Sequence, residues 1–323
     1  MRLEDSTYRA FLALLQNSLW KTPIPEGMLP LTVGQWDAIY RMSWGQAVTG
    51  IIYDAIQTLP RSSGLKLSQI GRWMSSAAVV EENNAHMDAA IEQMQALWRE
   101  HGITALIQKG QNIARMYPVP SHRVSGDIDW HFPTRKDWKA ALELVKAYNP
   151  ETDSDGDLHY VRDGIVMEHH RKGIDHSDTI SVLVMINEHI LHHALVMGVG
   201  FKHFCDMAVA YHYYAGQYSP DELRQELRRQ HLTGWTNLLD ATLVQEFGMP
   251  QEYLPFPVEG EPEVGKLMEL VIADGNLGLD KENRYAGFGQ RASLFLGCCP
   301  GKFLSRWTNL VIGRLFRGVR SQE

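Results

Sequence analysis

The feature that most constrains the fold is a change of hydrophobic period near residue 103. Before it, apolar residues recur at helical spacing. Phe11, Leu12, Leu14, Leu15 and Leu19 line one stretch, and Ile39, Met42, Ala47, Ile51, Ile52 and Ala55 line a second over 36–56. A long helix is expected over 70–100, stopped by His101-Gly102. Pro23, Pro25, Pro30 and the stretch 60–64 mark loops. After Ile103 the apolar runs shorten and are punctuated by Gly, Pro and Asp-Gly, as strands are. The spacing predicts a strand over 103–107, a short helix to about Tyr117, a strand ending near Pro133 and a helix over 138–147. A hairpin of 158–161 and 165–169 should turn at Asp163-Gly164. From about Thr179 the helical period returns over 183–198, 201–214 and 237–247, with Ser219 and Pro220 opening another helix. The fold class is therefore α+β: a small mixed β-sheet over 101–176, flanked by an N-terminal helical region, 1–100, and a C-terminal one, 177–323.

Within the strand-rich segment stands Arg123-Val124-Ser125-Gly126-Asp127-Ile128-Asp129-Trp130. Alternate side chains of a strand share a face, so Asp127 and Asp129 point one way and Ile128 points into the core. Two carboxylates on a rigid strand suit a hard cation such as Mg²⁺ or Mn²⁺. The competing reading is a strand-end pair that caps a turn. Glu168 shares a face with Val166 on the expected hairpin, and the surrounding elements favour a ligand there over a solvent-facing edge residue.

Composition sets limits on the rest. A hydrophobic fraction of 44% and a charged fraction of 21% fit an ordinary globular chain. A net charge of −7 gives no general pull toward nucleic acid. Cys205, Cys298 and Cys299 are too few for a disulfide framework, so a reducing, cytoplasmic setting is expected. The start of the chain lacks a basic and apolar leader pattern, and no uncharged apolar run of spanning length is read.

The order strand, Lys-Gly turn, helix, Asp-x-Asp strand and Glu-bearing hairpin resembles the DNA-polymerase-β-like nucleotidyltransferase core. Lys109-Gly110-Gln111, the Arg123–Trp130 motif, Glu168-x-His170 and the later Gly198-Val199-Gly200-Phe201-Lys202-His203-Phe204-Cys205-Asp206 resemble the uncharacterised bacterial nucleotidyltransferase family. The resemblance implies a metal-dependent transfer of a nucleoside monophosphate from an NTP to an acceptor, with release of pyrophosphate. The acceptor (small molecule, protein or RNA) is left open. Asp127, Asp129 and Glu168 would be the catalytic metal ligands for Mg²⁺ or Mn²⁺. Lys109, Gly110, Gln111, Arg123, Ser125, Gly126 and Lys202 would contact nucleotide or phosphate, and His159, His170 and Asp206 would stand behind them. Gly110-Gln111-Asn112 departs from the superfamily's turn, in which Ser or Gly and then a second Gly follow. That departure favours one alternative, a non-catalytic nucleotide-binding or regulatory module. Another is an antitoxin-like protein acting on a partner protein or tRNA.

Three further features invite sharper readings. His189, His192 and His193 have i, i+3, i+4 spacing beside Glu188. The His-Glu-x-x-His order is absent and Leu191, Ala194 and Leu195 crowd the turn, so packing or hydrogen-bonding histidines are expected rather than zinc ligands. Asp153-Ser154-Asp155-Gly156-Asp157 lacks the Gly and Glu of an EF-hand at the required positions and is expected to be a solvated loop. The basic, apolar stretch 302–320 is expected to dock as a terminal helix, with association to an anionic membrane the less favoured reading.

Overall fold

Four helices precede the sheet in the computed structural model, which describes residues 5–153, 156–170, 178–276 and 288–308: α1 (Ser6–Trp20), α2 (Val33–Gly45), α3 (Thr49–Ile56) and α4 (Leu67–Glu100). The single helix expected over 36–56 is two. Ala47 adopts a left-handed φ of 55°, and the Val48 amide turns back to the Ser43 carbonyl at 2.9 Å, which ends the first helix. Along α4, Gln69, Trp73, Ala77, Asn84, Met87, Ile91, Met94 and Trp98 are buried at steps of three, four or seven, one stripe along a helix of 34 residues.

The sheet follows as β1 (Leu106–Ile107), a short α5 (Gln111–Ala114), β2 (Asp127–His131), α6 (Arg135–Val145), β3 (Glu151–Thr152), β4 (Leu158–Arg162) and β5 (Ile165–His170). Strand order is β1-β2-β5-β4-β3, with β2 and β5 parallel and the other neighbours antiparallel. This is the small mixed sheet expected, and the α+β class holds. The first strand is shorter than predicted because Ile103 belongs to the end of α4. Its amide reaches the Trp98 carbonyl at 2.8 Å across Gly102, whose φ is +63°, a Schellman-type cap that uses Ile103 as its apolar closing residue. Asp163 (φ 54°) and Gly164 (φ 79°) form the tight hairpin turn predicted.

The chain divides into two compact units. One comprises 13–44 and 48–182, the other 1–12, 45–47 and 183–323. Most of α2, and all of α3 and α4, therefore fold with the sheet. Ile128, Trp130, Ile165 and Met167 pack with Met87, Ala90, Ile91, Met94 and Trp98 of α4 and with Ala141 and Val145 of α6. Trp98 is central, edge-on to Trp130, Phe132 and His169 at 5.6–6.1 Å between ring centres.

The second unit contains most of α7 (Thr179–His192), followed by a widened turn over His193–Met197. After it come α8 (Phe201–Tyr213), α9 (Pro220–Arg229), α10 (Thr233–Gln245), α11 (Val264–Asp274), α12 (Phe288–Cys298) and a helical stretch at 300–308. Ser219 caps α9 and Pro220 occupies its first turn, as predicted. Thr179–Met197 is long and apolar enough to cross a membrane by length and composition, contrary to the sequence expectation, with a mean hydropathy of 1.4. Its apolar side chains, among them Ile186, Ile190 and Leu191, are buried in the protein, and 56% of the segment is covered. Of the basic tail, Lys302 pairs with Glu188 at 2.6 Å and Phe303 is buried; residues beyond 308 lie outside the described part.

A charged clamp fixes the turn that feeds β2. His122 is buried, with Nδ1 at 2.6 Å from Asp54 of α3 and Nε2 at 2.8 Å from Glu81 of α4. Gly50 of α3 admits this turn, since a Cβ there would stand 2.3 Å from the His122 carbonyl oxygen. The bond to Asp54 leads the effects that raise the His122 pKa above its usual value, outweighing burial. A raised folded-state pKa contributes stability that is complete below the unfolded value of about 6.5 and is lost as pH rises through the folded value. His122→Gln is therefore expected to lose more stability at pH 6 than at pH 9, measured by urea unfolding across pH. A loss independent of pH would show that the ring is neutral.

Candidate active site

Asp129 and Glu168 lie directly opposite one another on parallel β2 and β5, with Asp127 two residues back on the same face of the sheet. Asp129 is almost wholly buried, flanked in sequence by Ile128 and Trp130 on the core face. A buried carboxylate persists as an anion only where donors replace water. Here Lys109 Nζ donates to Asp129 Oδ1 at 3.0 Å and His170 Nε2 donates to the same oxygen at 2.6 Å. Burial opposes ionisation of Asp129, yet the Lys109 charge and the His170 bond outweigh it and hold the carboxyl well below the usual range. Glu168 goes the other way. Burial, then the negative charges of Asp129 and Asp127, push its carboxyl up.

Each of these carboxylates has a histidine beside it, and each histidine reaches an aspartate of the β3–β4 connection. His170 Nδ1 donates to Asp157 Oδ2 at 2.8 Å, and His159 lies 3.1 Å from both Glu168 Oε1 and Asp153 Oδ2. Burial works against the positive charge on each ring. The bonds to Asp129 and Asp157 for His170, and to Asp153 and Glu168 for His159, prevail and raise both pKa values. Asp153, exposed as expected of a solvated loop, and half-buried Asp157 thus also serve as partners of the two histidines. The antiparallel pairing of β3 with β4 and of β4 with β5 carries them to the site. His169 points to the opposite face, as its alternation requires. There it is buried, accepts from the Tyr160 hydroxyl at 2.9 Å and is pushed down to about 3 by burial.

The turn before α5 brings Lys109 in. Gly110 has φ 48° and ψ −113°, a backbone conformation that L side chains rarely adopt, and a Cβ there would stand 3.3 Å from the Asp127 carbonyl oxygen. Gln111 bridges outward, its Nε2 donating to Asp88 of α4 at 2.8 Å and its Oε1 accepting from Ser125 Oγ at 2.8 Å. Ser125 in turn accepts from buried Arg123 at 3.1 Å. Asn83 and Asn84 of α4 donate to the carbonyls of Ser121, Arg123 and Ser125 at 2.7–3.2 Å. Gly126 is exposed, with open space where a Cβ would stand.

Asp129, Glu168 and His170 offer ligand atoms within 4.8 Å of one another, so the chemistry of the donor set fits a divalent ion. Carboxylate oxygens suit Mg²⁺ or Mn²⁺, and the excess negative charge registered by Glu168 is what a dication would neutralise.

Residues 33–183 match the family model described as an uncharacterised nucleotidyltransferase. That span, just under half the chain, runs from α2 through the whole sheet to the start of α7, and it bears out the resemblance read from the motifs. It supports a general nucleotidyl-transfer role. No curated protein and no solved structure matches the chain.

Within the nucleotidyltransferase span the structure brings together Lys109, Gly110, Asp127, Asp129, His159, Glu168 and His170. Gln111, Arg123 and Ser125 form the hydrogen-bonded support beside them. Lys202 and Asp206, on α8, lie outside the matched span and in the other unit. There the Lys202 amide is bound to the Gln46 carbonyl at 3.2 Å, and Asp206 is buried. Sequence reasoning missed Asp153, Asp157, Asn83, Asn84 and Asp88. Only the density of acidic and amide residues marked them.

The two aspartates are expected to respond differently to loss of charge without metal. Asp129→Asn leaves half-buried Lys109 without its principal counter-charge and should cost roughly 3 kcal/mol. Asp127→Asn, at a half-exposed position, should change stability by less than about 1 kcal/mol. Urea unfolding at neutral pH in EDTA measures both. Equal losses would count against Asp129 as the buried anchor.

Proposed function

We propose that the chain is a metal-dependent nucleotidyltransferase that moves a nucleoside monophosphate from an NTP to an acceptor hydroxyl or phosphate and releases pyrophosphate. The observation that carries this reading is the register of β2 and β5, which sets Asp129 against Glu168 with Asp127 on the same face and Lys109 beside them. Asp127, Asp129 and Glu168, with His170 adjoining, would hold Mg²⁺ or Mn²⁺. Bound there, the ion would supply charge neutralisation for the triphosphate and its departing pyrophosphate.

The chain's own groups account for the remaining requirements. In an in-line displacement the acceptor oxygen bonds to the α-phosphorus as the bond to the bridging oxygen of the pyrophosphate breaks. Glu168, with its raised proton affinity, suits the role of taking the acceptor proton. Lys109 stays charged because the attraction of Asp129, Glu168 and Asp127 exceeds the cost of its burial, and it is placed to meet a phosphate oxygen. Gly110 keeps side-chain bulk out of that approach. His159 and His170, anchored by Asp153 and Asp157, orient the two carboxylates.

One observation favours a second reading, a nucleotide-binding module without turnover. Gln111 and Ser125 are engaged with each other and with α4, so the turn after Gly110 is committed to scaffold contacts.

A thermal-shift panel of ATP, GTP, CTP and UTP with Mg²⁺ or Mn²⁺ tests both readings, followed by pyrophosphate release. A nucleotide at ~100 times its Kd should add about 2.7 kcal/mol of stability. The expected result is a metal-dependent shift for at least one nucleotide, abolished in Asp127→Asn/Asp129→Asn, with slow pyrophosphate release even without an acceptor. A shift with no release would select the binding module, and no shift would overturn both readings.

A further inference from the structure

The second unit holds a cluster with a different donor set. His189 and His193 lie one helical turn apart at the end of α7, and His203 comes from the first turn of α8. One ring nitrogen from each lies within 4.8 Å of the others. Ring centres are 4.4 Å apart for His189–His193 and for His193–His203, and 5.7 Å for His189–His203. His192, which the sequence placed with the first two, is not in the group; its ring centre is 6.0 Å from that of His193.

The backbone explains the convergence. At His193 the helix widens, with the Gly198 amide bonding the His193 carbonyl five residues back at 2.9 Å. Such widened turns recur at functional sites. Gly198, at φ 88°, and Gly200 then return the chain so that α8 begins beside the end of α7. Gln46 holds the start of α8, its side-chain oxygen accepting from the Phe201 amide at 3.1 Å and its carbonyl from the Lys202 amide at 3.2 Å. Buried His203 keeps Nδ1 3.3 Å from the Gly200 backbone, so Nε2 is the atom that would ligate. A backbone contact to the non-ligating nitrogen is the usual support of a metal-bound histidine. Glu188, the nearest carboxylate in sequence, is paired with Lys302 instead.

We propose that His189, His193 and His203 form a binding site for one borderline transition-metal dication, with Zn²⁺ as the type ion. Three imidazoles without a carboxylate favour Zn²⁺, Co²⁺, Ni²⁺ or Cu²⁺ over Mg²⁺. Zinc–nitrogen bonds of about 2.0–2.1 Å in a tetrahedron set the nitrogens roughly 3.4 Å apart. The cluster therefore contracts by at most about 1.5 Å on binding, a side-chain adjustment. Three protein ligands leave a fourth position for water or a substrate atom. The site is independent of the carboxylates of β2 and β5.

The test is a cobalt titration of the full-length, tag-free protein after EDTA treatment. Four-coordinate Co²⁺ absorbs in the visible. Wild type is expected to develop that band with one equivalent of Co²⁺ and to lose it when Zn²⁺ is added. His189→Gln and His203→Gln should each abolish the band or weaken binding by at least ~100-fold, the upper end of what loss of a supporting group alone costs. Glu168→Gln should leave it intact. Circular dichroism checks folding, and partly exposed His189 provides a readout should the buried His203 variant fail to fold. No band in wild type, a band that survives in folded His189→Gln, or loss of the band in Glu168→Gln would overturn the proposal.

Discussion

The structure around the sheet depends on keeping one buried carboxylate ionised. Asp129 sits on β2, an interior strand of a five-stranded sheet, where solvation by water is replaced by Lys109 and His170 acting on a single oxygen. An ion in that position without partners would be strongly unfavourable. The partners are themselves costly to place. Lys109 needs the Gly110 turn, which requires a positive φ, and His170 is held by Asp129 on one nitrogen and by Asp157 on the other. Glu168, beside it in register, takes up the negative charge that remains and responds by holding its proton more tightly. A site with this imbalance is poised to accept positive charge, which is the physical basis of the metal role proposed for it.

The scaffold under that site is α4. Its buried stripe ends in Met94 and Trp98 against the sheet, while Asn84 of that stripe and exposed Asn83 and Asp88 beside it satisfy the carbonyls and the Gln111 amide of the loops that enter β2 and α5. Loop backbone without water or ladder partners must find donors elsewhere, and asparagines on a rigid helix supply them at fixed positions. The family match beginning at residue 33 takes in α4 as well as the sheet, and both lie in the same compact unit.

What could be read from the sequence is what depends on local period. Asp127, Asp129, Glu168 and the opposite orientation of His169 follow from strand alternation, and the Asp163-Gly164 hairpin follows from turn chemistry. The errors share a cause in long-range pairing. Local templates such as a calcium loop do not reveal the roles of Asp153 and Asp157, whose partners His159 and His170 lie on β4 and β5. Ile103 looked like the start of a strand because apolar burial is the same whether a residue closes a helix cap or joins a sheet. The break between α2 and α3 rests on Ala47 at positive φ, a conformation that no glycine or proline at that position announces.

The histidines show the same limit from the other side. On α7 alone, His189, His192 and His193 are three ring-bearing residues on an apolar helix, and packing is the economical reading. The widened turn at 193–197 and the Gly198–Gly200 return change the set, replacing His192 with His203 from a different helix. Donor chemistry then separates the two clusters found among the described residues. The carboxylate site offers hard oxygen with one histidine attached, which suits an ion that retains water and meets phosphate. The α7–α8 cluster offers only imidazole nitrogen, which selects against such ions by ligand type. With both sites occupied as proposed, Mg²⁺ and Zn²⁺ would be sorted by donor identity rather than by overall affinity.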